Sequence, residues 1–411
     1  MELITAAETA RLLGVKIETV YAYVSRGRLT RVKAENGRSS LFDATAVAAL
    51  VPARRAQLPS DRDVRAEGIP SSLLIETSVA TLEPDGVRYR GRRASVCAKT
   101  MTFESVAEWL WTGIDGGDTT TWRSDPSVVA LATRVSKLLP RSALLPDHLR
   151  AITAAVASTD PLRFDLRPEA FMGAARSLLS TLVDALPTRR PGRTPRINIA
   201  GQTIGDSFAA RLWLRLSPLR PDATDLLTLN AALILLADHE LATSTFGVRV
   251  AASTRADPYA CISAGLGVLA GPLHGSASAA VQLLLVEASQ PEGATSAVAR
   301  LLRQGAQVPG FGHPLYPGGD PRAGELLDHL RASAPNRRRL AIVDGVLEAM
   351  NRRHPLAPNV DFALAALAFT SMMPNDAGET IFALARCSGW IAHALEELTA
   401  PPLRYRLRAG R

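Results

Sequence analysis

The sequence predicts a mainly α-helical body preceded by a small winged helix-turn-helix domain, and three observations carry that reading. From Phe103 onward, apolar residues recur at three- and four-residue intervals almost everywhere. No strand–helix–strand alternation is present and no glycine-rich phosphate loop follows a strand, which disfavours dinucleotide enzymes and P-loop ATPases. The first fifty residues, by contrast, hold short helical patterns around an Asn36-Gly37 hairpin signal.

In chain order, Thr5 and Glu8 form a capping box that opens a short helix ending at Leu13-Gly14. A second helix is expected over 17–26, with Val20 and Val24 on one face and Gly27 as its stop. Residues 31–34 and 38–42 flank Asn36-Gly37 as a hairpin wing, and Asp43 caps a closing apolar helix, ATAVAALV. This order is the layout of a winged helix-turn-helix. Residues 53–66 mix proline with alternating charge and read as a linker. A hairpin follows, from 75–82 through Pro84-Asp85-Gly86 to 87–90. The helical body then runs through FESVAEWLW, SVVALATRVSKLL, AFMGAARSLLSTLVDAL, DSFAARLWLRL and DLLTLNAALILLADHELA. The uncharged stretch 258–286 has the length of a membrane span, but GPLHGSAS interrupts it, so two buried helices meeting at a loop are expected.

With 411 residues, 47% hydrophobic and 21% charged, the chain has material for a large core, which excludes wholesale disorder. The cysteines Cys97, Cys261 and Cys387 are far apart and form no zinc or redox spacing. MELITAAETARLL carries two acids before its first arginine and no apolar core, so it is not read as a secretory signal. A soluble cytoplasmic protein is expected. The net charge of +8 favours anionic partners. Residues 1–66 hold eleven Lys and Arg against seven Asp and Glu, so half of the excess sits on the N-terminal module and linker.

Chemistry concentrates in four places. His239 lies in ADHELATSTF, in the C-terminal part of an apolar helix. His274 lies in a Gly-Pro break, AGPLHGSAS, and His313 in a glycine-rich loop, VPGFGHPLYPGGDPRA. Asp361, in APNVDFALAAL, opens a long apolar helix. A histidine on a helix is more often packed than functional, and an aspartate at a helix start is usually a cap. Glycines around His274 and His313 let backbone approach a ligand, however, and the apolar run after Asp361 would raise its pKa toward that of a useful base.

DHE, GPLHG, VPGFGH with DPRA, and PNVD, in this order, resemble the citrate synthase family. TSVATLEPDGVRYRG followed by FESVAEWLWTG resembles its N-terminal hairpin and first helix, and RCSGWIAHALEEL resembles a late segment, so the resemblance spans residues 67–411. It implies a dimeric helical fold with a large domain, here 67–275 and 366–411, and a small one at 276–365, closing over the substrates. The first region, residues 1–52, resembles the small DNA-binding domains of the excisionase and MerR families. Candidate DNA contacts there are Lys16, Thr19, Tyr21, Arg26, Arg28, Arg31, Lys33 and Arg38, although Glu18 would repel phosphate. A protein-interaction module is the alternative.

For the body, the resemblance implies an acyltransferase that condenses acetyl-CoA with oxaloacetate, with coenzyme A thioester as substrate and neither cofactor nor metal. Asp361 would remove a proton from the thioester methyl carbon, His274 would stabilise the enol or enolate, and His313 would polarise the oxaloacetate carbonyl. His239, Arg322 and Arg386 would bind carboxylates. A further arginine, donated across a homodimer, would be Arg404 in preference to Arg406. Propionyl-CoA, giving 2-methylcitrate, differs by one methylene and is the nearest alternative. A ligand-sensing DNA-binding regulator with a synthase-like dimeric body is another. Several positions depart from the family pattern. Ala242 stands where Asn is common, Ser276 and Ser278 where Gly and Asn are usual, and Pro314 and Pro317 where Arg and Lys often meet CoA phosphates.

Overall fold

The structure is a computed structural model. It describes residues 3–13, 17, 20–21, 24, 29–33, 40–43 and 75–406, the last apart from 116–121, 191–195, 200–201, 205, 272–273, 275–276, 334–335 and 354–355. The chain forms two compact units, Met1–Leu74 and Ile75–Arg411.

In the first unit, β1 (Leu3–Thr5) leads into α1 (Ala6–Leu13), and the Thr5–Glu8 capping box forms as expected. The Thr5 N–H donates to Glu8 Oε2 at 2.9 Å and the Glu8 N–H to Thr5 Oγ1 at 3.2 Å. β2 (Val32–Lys33) pairs antiparallel with β3 (Ser40–Asp43), as the hairpin signal predicts. β1 pairs with the other edge of β3, which the sequence reading did not anticipate. Ala10, Val20, Leu29 and Phe42 form a small core. Tyr21 and Arg31 are exposed. Lys16, Thr19, Arg26, Arg28 and Arg38, the closing helix and the 53–66 linker lie outside the described residues, as does the side chain of Lys33.

The second unit opens with β4 (Ala80–Glu83), β5 (Gly86–Tyr89) and β6 (Arg92–Arg93) in an antiparallel sheet, so the first strand starts later than expected. Helices follow in series: α2 (Ala94–Thr100), α3 (Phe103–Thr112), α4 (Pro126–Leu138), α5 (Leu145–Ala157) and α6 (Pro168–Ala185). A small hairpin, β7 (Ile197–Ile199) and β8 (Gln202–Ile204), precedes α7 (Phe208–Leu216) and α8 (Ala223–Leu236). Then come α9 (Thr243–Ser253), α10 (Pro258–Leu269), α11 (Ala277–Ala288), α12 (Gly293–Arg303), α13 (Pro321–Ser333), α14 (Arg337–Arg353), α15 (Val360–Thr370) and α16 (Ala377–Leu398). The uncharged stretch is thus divided between α10 and α11. Among the described residues no helix is long and apolar enough to cross a membrane.

Three helices organise the core, two of them because their sequences are apolar nearly all round. α8 (ATDLLTLNAALILL) and α15 (VDFALAALAFT) are buried almost throughout, and α16 is buried along most of its length. α16 packs against α3, α8, α9, α10 and α15, while α15 packs between α11 and α13. Asp361 and Arg386 are therefore presented by helices that cannot tilt without opening the core.

Candidate active site

The segment carrying His313 is zipped to the start of α15. Gly310 accepts from the Asn359 N–H at 2.9 Å, and the Gly312 N–H donates to Ala357 O at 2.8 Å. Asn359 then caps α15, its Oδ1 accepting from the N–H groups of Asp361 (3.1 Å) and Phe362 (3.3 Å), while its Nδ2 donates to Gly312 O at 2.9 Å. Gly310 is required here, because its φ is +84° and a Cβ would come within 2.9 Å of Phe362 Cβ. The buried Asp320 completes the lock. Both of its oxygens hold Arg322, at 2.9 Å to Nε and 2.8 Å to Nη2, and Oδ2 also accepts the Val360 N–H at 3.0 Å. Burial alone would raise the Asp320 carboxyl, but the Arg322 guanidinium holds it below its ordinary value. Burial pushes Asp361 up to about 6, against an opposing pull from Arg322 and with help from Asp320.

His313 and Arg322 meet face to face. The Leu315 N–H donates to His313 Nδ1 at 3.1 Å, so the neutral ring carries its proton on Nε2. Arg322 Nη2 lies 3.4 Å from that nitrogen. Two donors at this separation form a ready seat for a carbonyl or carboxylate oxygen. The His239 and His313 rings stand 5.8 Å apart, and His239 Nε2 lies 3.2 Å from Tyr316 Oη.

His239 is not on a helix, contrary to the expectation for it. α8 ends at Leu236, because the Tyr89 hydroxyl donates to Ile234 O at 2.7 Å and Asp238 Oδ1 takes the N–H of Glu240, whose φ is +56°. Those bonds turn the chain, so His239 is presented from a tight loop.

Arg386 is 1% exposed; its Nε donates to Leu236 O at 3.0 Å and its guanidinium lies 4.7 Å from the Phe382 ring centre. Burial lowers its pKa to about 10; Asp238 counters this and Arg322 adds to it. Among the described residues, no carboxylate lies within ion-pair distance of Arg386. A buried guanidinium with no carboxylate partner is a strong claim on an anionic ligand. His274 shares the Phe382 contact, edge-on at 6.2 Å, and its Nε2 lies 2.8 Å from the buried Ser244 Oγ on the first turn of α9.

The structure thus brings His239, His313, Arg322 and Asp361 into one connected group, and His274 and Arg386 into a second around Phe382. Mutual repulsion between Arg322 and Arg386 couples the two. Arg404 stands apart in this chain. It is paired to the buried Glu397, 2.6 Å from Nε to Oε1, and Tyr405 donates to the same carboxylate at 2.9 Å. Glu397 also accepts from Arg249 Nη1 at 3.0 Å, and Arg249 bonds Glu396 and, at 3.2 Å, His393 Nδ1. His393 Nε2 lies 3.2 Å from Asp238 Oδ2, next in sequence to His239. Gly389 makes room for that carboxylate, since a Cβ there would meet Asp238 Oδ2 at 2.1 Å.

Ser244, Arg249, Asp320, Tyr316 and Asn359 were not assigned roles from sequence. Asp320 and Asn359 sit inside the DPRA and PNVD motifs, where a cap or ion-pair reading could have found them. Ser244 and Arg249 carry no local signal, because their partners are remote in sequence.

The family model for the C-terminal domain of citrate synthase matches residues 68–406. The chain is 29% identical over 355 residues to 2-methylcitrate synthase 1 of Corynebacterium glutamicum, covering 82% of this chain and 92% of that one. It is 30% identical over 360 residues to citrate synthase of Synechocystis sp., covering 83% and 89%. The crystal structure of citrate synthase from Thermotoga maritima superposes with a TM-score of 0.64 at 25% identity, covering 84% of this chain and 95% of that one. With these motifs in this order on a helical scaffold of that shape, the chain belongs to the citrate synthase family, whose members are acyltransferases.

Proposed function

We propose that the second unit condenses an acyl-CoA thioester, acetyl-CoA or propionyl-CoA, with oxaloacetate. The observation that carries this reading is Arg386, buried with no carboxylate partner among the described residues and electrostatically coupled to an Arg322–His313 donor pair, itself coupled to a desolvated Asp361. Arg386, Arg322 and His239 take the carboxylates. The Asp361 carboxylate removes a proton from the α-carbon of the thioester. His274, held by the Ser244 hydroxyl at Nε2, stabilises the enol oxygen. The enol carbon bonds to the ketone carbon, and the ketone oxygen takes its proton from His313 Nε2, which regains one from solvent as the Asp361 carboxyl releases the α-proton. Water then adds to the thioester carbonyl and the CoA thiol leaves. The reaction needs no cofactor beyond the thioester substrate. The division into 67–275 with 366–411 and 276–365 belongs to the same reading, as does a homodimer in which Arg404 reaches the partner's substrate.

Release of CoA thiol from each acyl-CoA with oxaloacetate tests it directly. Asp361→Asn should lower kcat by about a thousandfold while leaving oxaloacetate affinity within roughly twofold. A wild-type protein without turnover on either thioester sinks the reading.

For the N-terminal unit we infer a helix-turn-helix module, supported by the β2–β3 hairpin and the small core that joins Val20 to Phe42. Exposed Tyr21 and Arg31 are its described candidate contacts with DNA. A duplex shift that weakens steeply with salt and is lost in the Arg31→Ala, Lys33→Ala double variant is expected. Unchanged binding in that variant would assign any shift to the body.

A further inference from the structure

We propose that Tyr316 is a positioning residue for the oxo-acid side of the site, a role that rests on the condensation reading above. Its side chain is 4% exposed and makes contact with three of the four groups assigned to that substrate. The hydroxyl lies 3.2 Å from His239 Nε2. The ring lies 5.0 Å from that of His313 at an interplanar angle of 37°, and stands edge-on to His239 at 5.8 Å and 68°. The Arg322 guanidinium carbon is 5.9 Å from the ring centre.

The turn that presents Tyr316 is stiff. Its N–H donates to His313 O at 3.3 Å, and its carbonyl accepts the Gly319 N–H at 3.0 Å. Pro314 and Pro317 flank it, each with a fixed φ. Burial raises the Tyr316 pKa, so the phenol stays protonated at neutral pH. A phenol held at an imidazole nitrogen limits rotation of that ring about its own axis. His239 is thereby aimed before the oxo acid arrives, and His313 and Arg322 are braced by the same ring.

Steady-state kinetics on the full chain separate this role from general support. Tyr316→Phe keeps the ring and removes the hydroxyl. It should raise the KM for oxaloacetate by about tenfold, keep kcat within about twofold and leave the acyl-CoA KM unmoved. Tyr316→Leu also removes the brace on His313 and should lower kcat by about a further tenfold. If that variant does not fold, the phenylalanine variant carries the test alone. An active, folded Tyr316→Phe protein with a wild-type oxaloacetate KM overturns the proposal, as do equal changes in both KM values. A wild-type protein that neither turns over nor binds oxaloacetate overturns the condensation reading, and this proposal falls with it.

Discussion

Two regions supply the site, and they are fixed by different forces. The 310–322 loop and the start of α15 are held mainly by backbone bonds, a cap and one carboxylate, Asp320. The α9–α16 region behind His239 and His274 is held by buried charge: Arg249 between Glu396, Glu397 and His393, with His393 against Asp238. Backbone pairing survives most side-chain changes. Buried charge does not, because removing one partner strands the others in a low-dielectric interior. The contrast places rigidity around His313 and Asp361, and sensitivity where two distant segments must stay in register.

The sharpest test of that contrast lies in the charged region. Arg249→Met takes the cation from Glu396 and leaves Glu397 to Arg404 and Tyr405, and should cost about 3 kcal/mol, read as a lowered denaturant midpoint. Arg249→Lys keeps the charge but not the fork, and should fall between that variant and the wild type. Equal stability for wild type and the Met variant would mean that the network is not what holds α9 to α16.

Asp361 probes the backbone-held region by a different route. Its carboxyl is raised to about 6 by burial, so the folded state binds this proton more tightly than the unfolded chain does. Stability attributable to this group is therefore present below the unfolded pKa and lost as pH rises through about 6. Asp361→Asn should consequently be more stable than wild type at pH 7.5, by about 2 kcal/mol, with the gap closing toward pH 4. Activity runs the other way: kcat should rise with pH through about 6 as the base ionises. A melting-temperature series on both proteins, set beside a pH–rate profile, checks both signs.

The smallest expected effect is at the cap. Asn359→Ala removes one side chain from a region otherwise zipped by backbone, and should cost about 1 kcal/mol in chemical denaturation. A loss as large as that of Arg249→Met would erase the distinction between the two regions.

Much of the site was legible because its chemistry is local. GPLHG, VPGFGH and PNVD place glycine, histidine or aspartate within a few residues of one another, and a carboxylate before an apolar run announces its own desolvation. The helical body was legible for the same reason, since periodicity is a short-range property; α2, before Phe103, and the β7–β8 hairpin escaped it. His239 was placed on a helix because DLLTLNAALILLADHELA keeps its apolar rhythm, while the stop comes from Tyr89, far away in the chain. Arg404 could be assigned only by its tail motif, and in this chain it rests on Glu397.

By itself, then, the sequence determined the helical class, the order of the motifs, the titratable residues those motifs carry, and the local excess of positive charge in residues 1–66. Tertiary structure alone decided which of those residues meet. It ended α8 early, buried Arg386 with no carboxylate partner among the described residues, set Tyr316 between His239, His313 and Arg322, and tied α9 to α16 through Arg249. The physical reason is that burial and ion pairing are sums over neighbours distant in sequence, and no local pattern encodes which neighbours those will be.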